Sequence, residues 1–177
     1  MKEQEQKTAD LGSGKVGRLL FRLAVPAITA QLVNMLYNIV DRMYIGHIPE
    51  IGAAALTGVG VTFPILMIIS AFSSLIGMGG APRASIKMGQ KDVEGAEKIL
   101  GNCFVTLVGI SIILTVLLLI LGEDLLLLFG ASENTIAYGT QYLTIYVSGT
   151  IFVQMALGLN TFISAQGFAK TSMMTVI

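Results

Sequence analysis

Charge is scarce in this sequence. Asp, Glu, Lys and Arg make up 12% of its 177 residues, where a soluble domain carries roughly 25%. With 54% hydrophobic residues and a mean hydropathy of +0.77, the chain cannot clothe a water-facing surface. Cysteine is nearly missing. Cys103 stands alone, so there is no internal disulfide framework, and since it opens an apolar run it reads as a small buried or lipid-facing residue. His47 is the only histidine, which excludes a multi-histidine metal site within the chain; it falls in a short loop and reads as a surface residue. Eleven basic and eleven acidic residues cancel, leaving no net charge to attract nucleic acid. Patterns of soluble enzymes are missing too. There is no glycine-rich loop ending in Lys-Ser or Lys-Thr, no metal-ligand cluster and no Ser-His-Asp set. No enzymatic activity and no cofactor are expected, and without a nucleotide-binding domain any transport must draw on an ion gradient or another subunit.

What is present is a series of long uncharged runs. A helical span needs about 20 apolar residues. The runs predict an all-α polytopic membrane protein with a tail at 1–18, spans at 19–45, 51–81, 99–122 and 134–164, and the start of a fifth at 171–177. The third is the clearest: 103–121 holds fourteen Leu, Ile, Val or Phe residues, favouring insertion by roughly 4–8 kcal/mol. The fourth is more polar, with Gln141, Thr144, Ser148, Thr150, Gln154 and Asn160, and must turn one side to protein or water. The first run is long and leads directly into a second, so it reads as a retained signal anchor rather than a cleaved signal peptide.

Ten of the eleven basic residues precede or enter the first span, lie between the second and third, or follow the fourth. The positive-inside rule places those segments and the N-terminus in the cytoplasm of a multi-pass protein of the cell membrane. The hydrophilic connection 82–98 carries Val93, Ala96, Ile99 and Leu100 at helical spacing and predicts a short amphipathic helix on the cytoplasmic surface. Gly58, Gly60, Gly77, Gly79 and Gly80 in the second span are expected to let helices approach closely. Pro26 and Pro64 should bend their helices, Pro26 serving as a candidate hinge.

The sharpest chemical feature is in the first span. Gln31, Asn34, Asn38 and Asp41, spaced 3, 4 and 3, share one narrow helix face. An ionised Asp at mid-span costs roughly 2.5–3.5 kcal/mol, so such carboxylates are partnered, protonated or wetted. Proton binding by Asp41 then depends on conformation, as ion coupling requires. The other reading puts Asp41, five residues from Gly46, near the outer interface, where its charge costs little. Arg42 is adjacent and cannot face it. Tyr37 lies close in angle to the stripe and could offer an aromatic wall to a cation. Gln154 and Asn160 are candidate cavity-lining residues of the fourth span; helix-to-helix hydrogen bonding is their alternative.

Four segments carry a resemblance to a known family. LAVPAITAQLVNMLYNIVDRMYIGHI has an early proline, an Asn-rich middle and an Asp followed shortly by Gly. RASIKMGQKDVEGAEKI has a basic, polar run, and the third span follows it directly. NTFISAQGFAKTSMM has a glycine turn before Lys and Met, although Gln166 stands where a small or basic residue is common. In this order they resemble the multidrug and toxin extrusion (MATE) family, and among its members the MepA-like bacterial multidrug exporters.

That resemblance implies a twelve-helix antiporter of two six-helix lobes, with this chain forming part of the N-terminal lobe. It implies exchange of cationic drugs or dyes for H+ or Na+, Asp41 as the ion-coupling residue, and a substrate cavity lined by Gln31, Asn34, Tyr37, Asn38, Gln154 and Asn160. The partners expected are the lipid bilayer and the remaining helices of a longer transporter; four helices and a stub read as an N-terminal fragment expected to transport nothing alone. Two alternatives stay open. One is a lipid-linked precursor flippase of the same superfamily, whose cavity would be basic, whereas only Arg42 lies within a span. The other is a non-transporting scaffold subunit whose polar stripe is packed dry.

Overall fold

A computed structural model describes residues 16–175 of the chain. Among these the regular structure is all helical: α1 Val16–Gly46, α2 Gly52–Gly89, α3 Val93–Leu128, α4 Ile136–Ser148, α5 Thr150–Ala165 and α6 Ala169–Met174. α1 from Leu23, α2 and α3 are each long and apolar enough to cross a membrane, and α4 with α5, bent by 59° at Gly149, is long and apolar enough to make a fourth crossing if the pair is one broken span. α6 opens the further helix expected after residue 170. Residues 1–15 of the expected tail, and Val176 and Ile177, lie outside the described residues.

α2 is the central element, packed against α1, α3, α4 and α5. Lipid tails are as apolar as leucine, so burying one leucine on another drives little association; close packing does the work. The buried face of α2 accordingly carries Gly58, Gly77 and Gly80 as well as Ile65 and Ile69. A Cβ on Gly58 would stand 2.6 Å from the Thr135 carbonyl oxygen and 3.0 Å from the Gly139 nitrogen, so α2 and the start of α4 meet backbone to backbone. Gly77 lies against Thr161, and Gly80 against Cys103 and Phe162, whereas Gly60 and Gly79 face open space. Leu114, Leu118, Leu143 and Val147 complete the core around Ile65 and Ile69. On the far side of α3, Ile113, Val116 and Ile120 are exposed, an apolar stripe suited to lipid.

Three boundaries differ from the sequence expectation. No separate helix occupies 82–98: α2 runs on to Gly89 and α3 begins at Val93. The reversal is compact. The Lys91 N–H donates to the Met88 carbonyl and that of Asp92 to Lys87, with Lys91 at φ 62°, a helix-ending geometry usually left to glycine. The Asp92 carboxylate then caps α3 through the Gly95 N–H (2.9 Å) and accepts from Lys87 Nζ (2.8 Å). At 1.5 Å per residue α2 is about 57 Å long, against a hydrocarbon core of about 30 Å. The charged residues ride on helix ends that overshoot the apolar layer. α3 likewise passes residue 122 and ends at Leu128, before Gly130 at φ 100°.

The third difference is the bend. Pro26, Pro64 and Pro82 interrupt neither α1 nor α2; the sharp bend falls at Gly149 of the fourth crossing. Ser148, Gly149 and Thr150 are poor helix formers in sequence, and hydroxyls take up carbonyls around the break. Ser148 donates to the Thr144 carbonyl (2.8 Å), and Thr115 of α3 donates to that of Val147 (3.3 Å). Neighbouring Ser and Thr side chains are what make a broken helix tolerable in lipid.

Two outcomes follow. Gly58→Val should cost about 1–3 kcal/mol through overpacking, read as a lower thermal midpoint in detergent, while Gly60→Ala, facing open space, should not lower it. The Lys87 ammonium, with help from the Gly95 N–H, holds the Asp92 carboxyl below its usual value of 3.8. Its stabilisation of the α2–α3 turn is complete above that usual value and is lost as pH falls through the lowered one. A carbon-13 titration of Asp92 should show the low midpoint, and Lys87→Met should raise it.

Candidate functional site

α1 turns one face to the bundle. Leu23, Pro26, Ala30, Asp41 and Ile45 are the wholly or partly screened positions on that face, and the Gln31–Asn34–Asn38–Asp41 stripe runs along it. Yet every residue from Gln31 to Val40 is exposed. α1 is held near its ends and stands off in the middle. At one end Gly46 closes on Gly52, and Arg42 lies over the Phe63 ring of α2 at 5.0 Å. Towards the other end α1 packs against α6.

The gap is a cavity of about 620 Å³. Gln31 and Asn34 line it from α1, Gly77, Met78 and Pro82 from α2, Asn160, Thr161 and Ser164 from α5, and Ser172 and Met173 from α6. The polar groups are joined in short chains. Asn38 Nδ2 donates to the main-chain oxygen and to Oδ1 of Asn34, each at 2.8 Å. Ser164 donates to Ser172 at 2.7 Å, and Asn160 is bridged to Thr175 at 3.1 Å.

The candidates named from sequence separate into three groups. Gln31, Asn34 and Asn160 share the cavity. Tyr37, Asn38 and Asp41 carry the stripe on along α1 beyond it; Tyr37 is 70% exposed and Asp41 is partly buried, with no ion-pair partner among the described residues. Gln154 is elsewhere. It is fully buried, accepts a short hydrogen bond from Ser73 and donates to the Ile69 carbonyl (3.2 Å), tying α5 to α2 rather than lining the cavity. Pro26 is buried within an unbroken α1, where its missing N–H leaves the Arg22 carbonyl without a helical donor.

Thr161, Ser164 and Ser172 are cavity residues that sequence reasoning passed over. A signal existed: Asn160 and Ser164 are i and i+4, neighbours on one helix face. Ser172 carried no such sign, because its place depends on the α5–α6 turn at Gly167 (φ 87°). Chemically the cavity offers amides and hydroxyls among aliphatic walls. Among the described residues no group of three or more His, Cys, Asp or Glu side chains comes together to hold a metal.

The chain is similar to known proteins in sequence and in fold. The profile of the MatE family matches residues 26–177. Multidrug export protein MepA of Staphylococcus haemolyticus (strain JCSC1435) is 24% identical over 160 residues, which are 90% of this chain and 35% of that protein. Probable multidrug resistance protein YpnP of Bacillus subtilis (strain 168) is 26% identical over 167 residues, 93% of this chain and 37% of the relative. The chain thus spans about a third of the length of the curated relatives it matches. Crystal structures of MATE in complex with MaD3S and with MaD5 superpose with TM-scores of 0.85 and 0.84, each over 96% of this chain at 22% identity, and share its fold.

Gln154→Leu should destabilise the bundle by about 1–3 kcal/mol, because the Ser73 hydroxyl loses its partner in a dry interior. Adding Ser73→Ala should recover part of that loss in a thermal melt, as removal of both partners leaves no stranded donor.

Proposed function

Because the chain belongs to the MatE family, we propose that it is the N-terminal-lobe portion of a secondary active multidrug efflux antiporter, which exchanges cationic organic compounds for protons or sodium. Transport is assigned to the whole protein that carries this sequence. The observation that carries the reading is the stand-off of α1: its polar stripe opens through Gln31 and Asn34 onto a cavity of about 620 Å³ and runs on beyond it to the Asp41 carboxylate. A volume of this size suits a drug-sized molecule.

In this reading Asp41 binds the coupling ion, and Gln31, Asn34 and Asn160 line the path of the substrate. The end of the bundle bearing Arg83, Lys87, Lys91, Lys98 and Lys170 faces the cytoplasm. One charge entering through 100 mV releases about 2.3 kcal/mol, and a tenfold proton gradient adds about 1.4 kcal/mol. Together they sustain a gradient of a few hundredfold for a neutral substrate. A lipid-linked pyrophosphate is disfavoured as cargo, since among the described residues no basic side chain lines the cavity.

The test is dye efflux from cells expressing the whole gene product with Asp41→Asn. Loss of at least tenfold in efflux rate, at unchanged membrane abundance, is expected; wild-type efflux would remove Asp41 from the mechanism.

A further inference from the structure

Among the described residues no charged and no aromatic side chain lines the cavity between α1, α2, α5 and α6. A cation leaving water needs a carboxylate or the face of a ring, and the described lining residues supply neither. Asp41 is not among the lining residues; it lies seven residues beyond Asn34, about 10 Å further along α1.

The hydrogen bonds define what the cavity offers instead. A main-chain oxygen only accepts, so Asn38 must turn its amide nitrogen to Asn34, and that nitrogen's second hydrogen occupies Asn34 Oδ1. Asn34 therefore presents Nδ2, which has no partner among the described residues. From α6, Ser172 Oγ accepts the Ser164 hydroxyl and keeps its own hydrogen to give. Both groups are donors, set among Leu23, Ala30 and Met78. Their complement is an acceptor oxygen, such as an ether, ester or ketone, on an apolar body.

Resting on the transport reading above, we infer that this cavity binds the uncharged, oxygen-bearing part of a substrate, while the cationic centre is held apart, further along the α1 stripe. Preferred substrates are elongated amphiphiles whose charge is separated from an acceptor group. Two dyes distinguish this. Rhodamine 6G carries an ethyl ester on a phenyl ring set apart from its cationic xanthene; ethidium carries its charge with no oxygen.

Binding of each dye is measured by fluorescence anisotropy on the whole gene product in lipid nanodiscs. Asn34→Leu and Ser172→Ala should each weaken rhodamine 6G about five-fold, the worth of one neutral hydrogen bond, and leave ethidium within two-fold. Asn34→Gln, which keeps an amide donor, should retain more rhodamine 6G binding than Asn34→Leu. Ser172→Ala removes one atom and guards against a folding failure of the bulkier change. Equal loss for both dyes, or no loss of rhodamine 6G with either variant, overturns the inference alone. Failure of the unsubstituted protein to bind either dye overturns the transport reading and this inference together.

Discussion

A polar atom in hydrocarbon must find its partner inside the protein, and most of this structure depends on that constraint. The fourth crossing breaks at Gly149 where hydroxyls of Ser148 and of Thr115, on another helix, receive carbonyls around the bend. Gln154 is the strongest instance. Both ends of its amide are engaged, by Ser73 and by the Ile69 carbonyl, so α5 is registered against α2 by a buried polar joint. Hydrophobic contact between two apolar helices in lipid has no such directional content.

The bundle consequently has a tight side and an open one. Between α2, α3, α4 and α5, small residues bring backbones together, and branched side chains fill what remains. Along the middle of α1 the residues facing the bundle include the amides Gln31, Asn34 and Asn38, which have no partner on α2 or α5 among the described residues. The helix stays anchored near its ends and leaves a polar gap. The gap and the Gln154 joint come from the same chemistry: an amide with a cross-helix partner closes two helices, and one without keeps them apart.

Separation of charge from hydrogen bonding is the feature of the gap that bears on function. Arg42 lies over the Phe63 ring, and no ion pair between it and Asp41 is formed among the described residues. Asn34, Ser164, Ser172 and Asn160 each make one polar link, keep further hydrogen-bonding capacity, and carry no charge. A coupling ion and the body of a substrate would be read by different groups on the same helix, an arrangement that lets one affect the other through the position of α1.

Spans, their order and the polar stripe of α1 were legible in the sequence, because each depends on local composition and on the 3.6-residue period. The excess of basic residues in alternate connections was legible for the same reason. The division of the polar residues was not. Asn160 and Gln154 look alike in sequence and sit six residues apart, yet one lines the cavity and the other is locked to Ser73. Which of them meets a partner depends on where α2 crosses α5. The extension of α2 through 82–89 was hidden as well. Charge signals the end of the apolar layer, but a helix ends only where its last carbonyls are capped, as they are at Lys91 and Asp92. Composition, then, determined that these helices enter a membrane. Only the tertiary structure decided which amides are spent holding helices together and which remain free to hold something else, because a hydrogen bond between helices needs two groups whose meeting no single segment encodes.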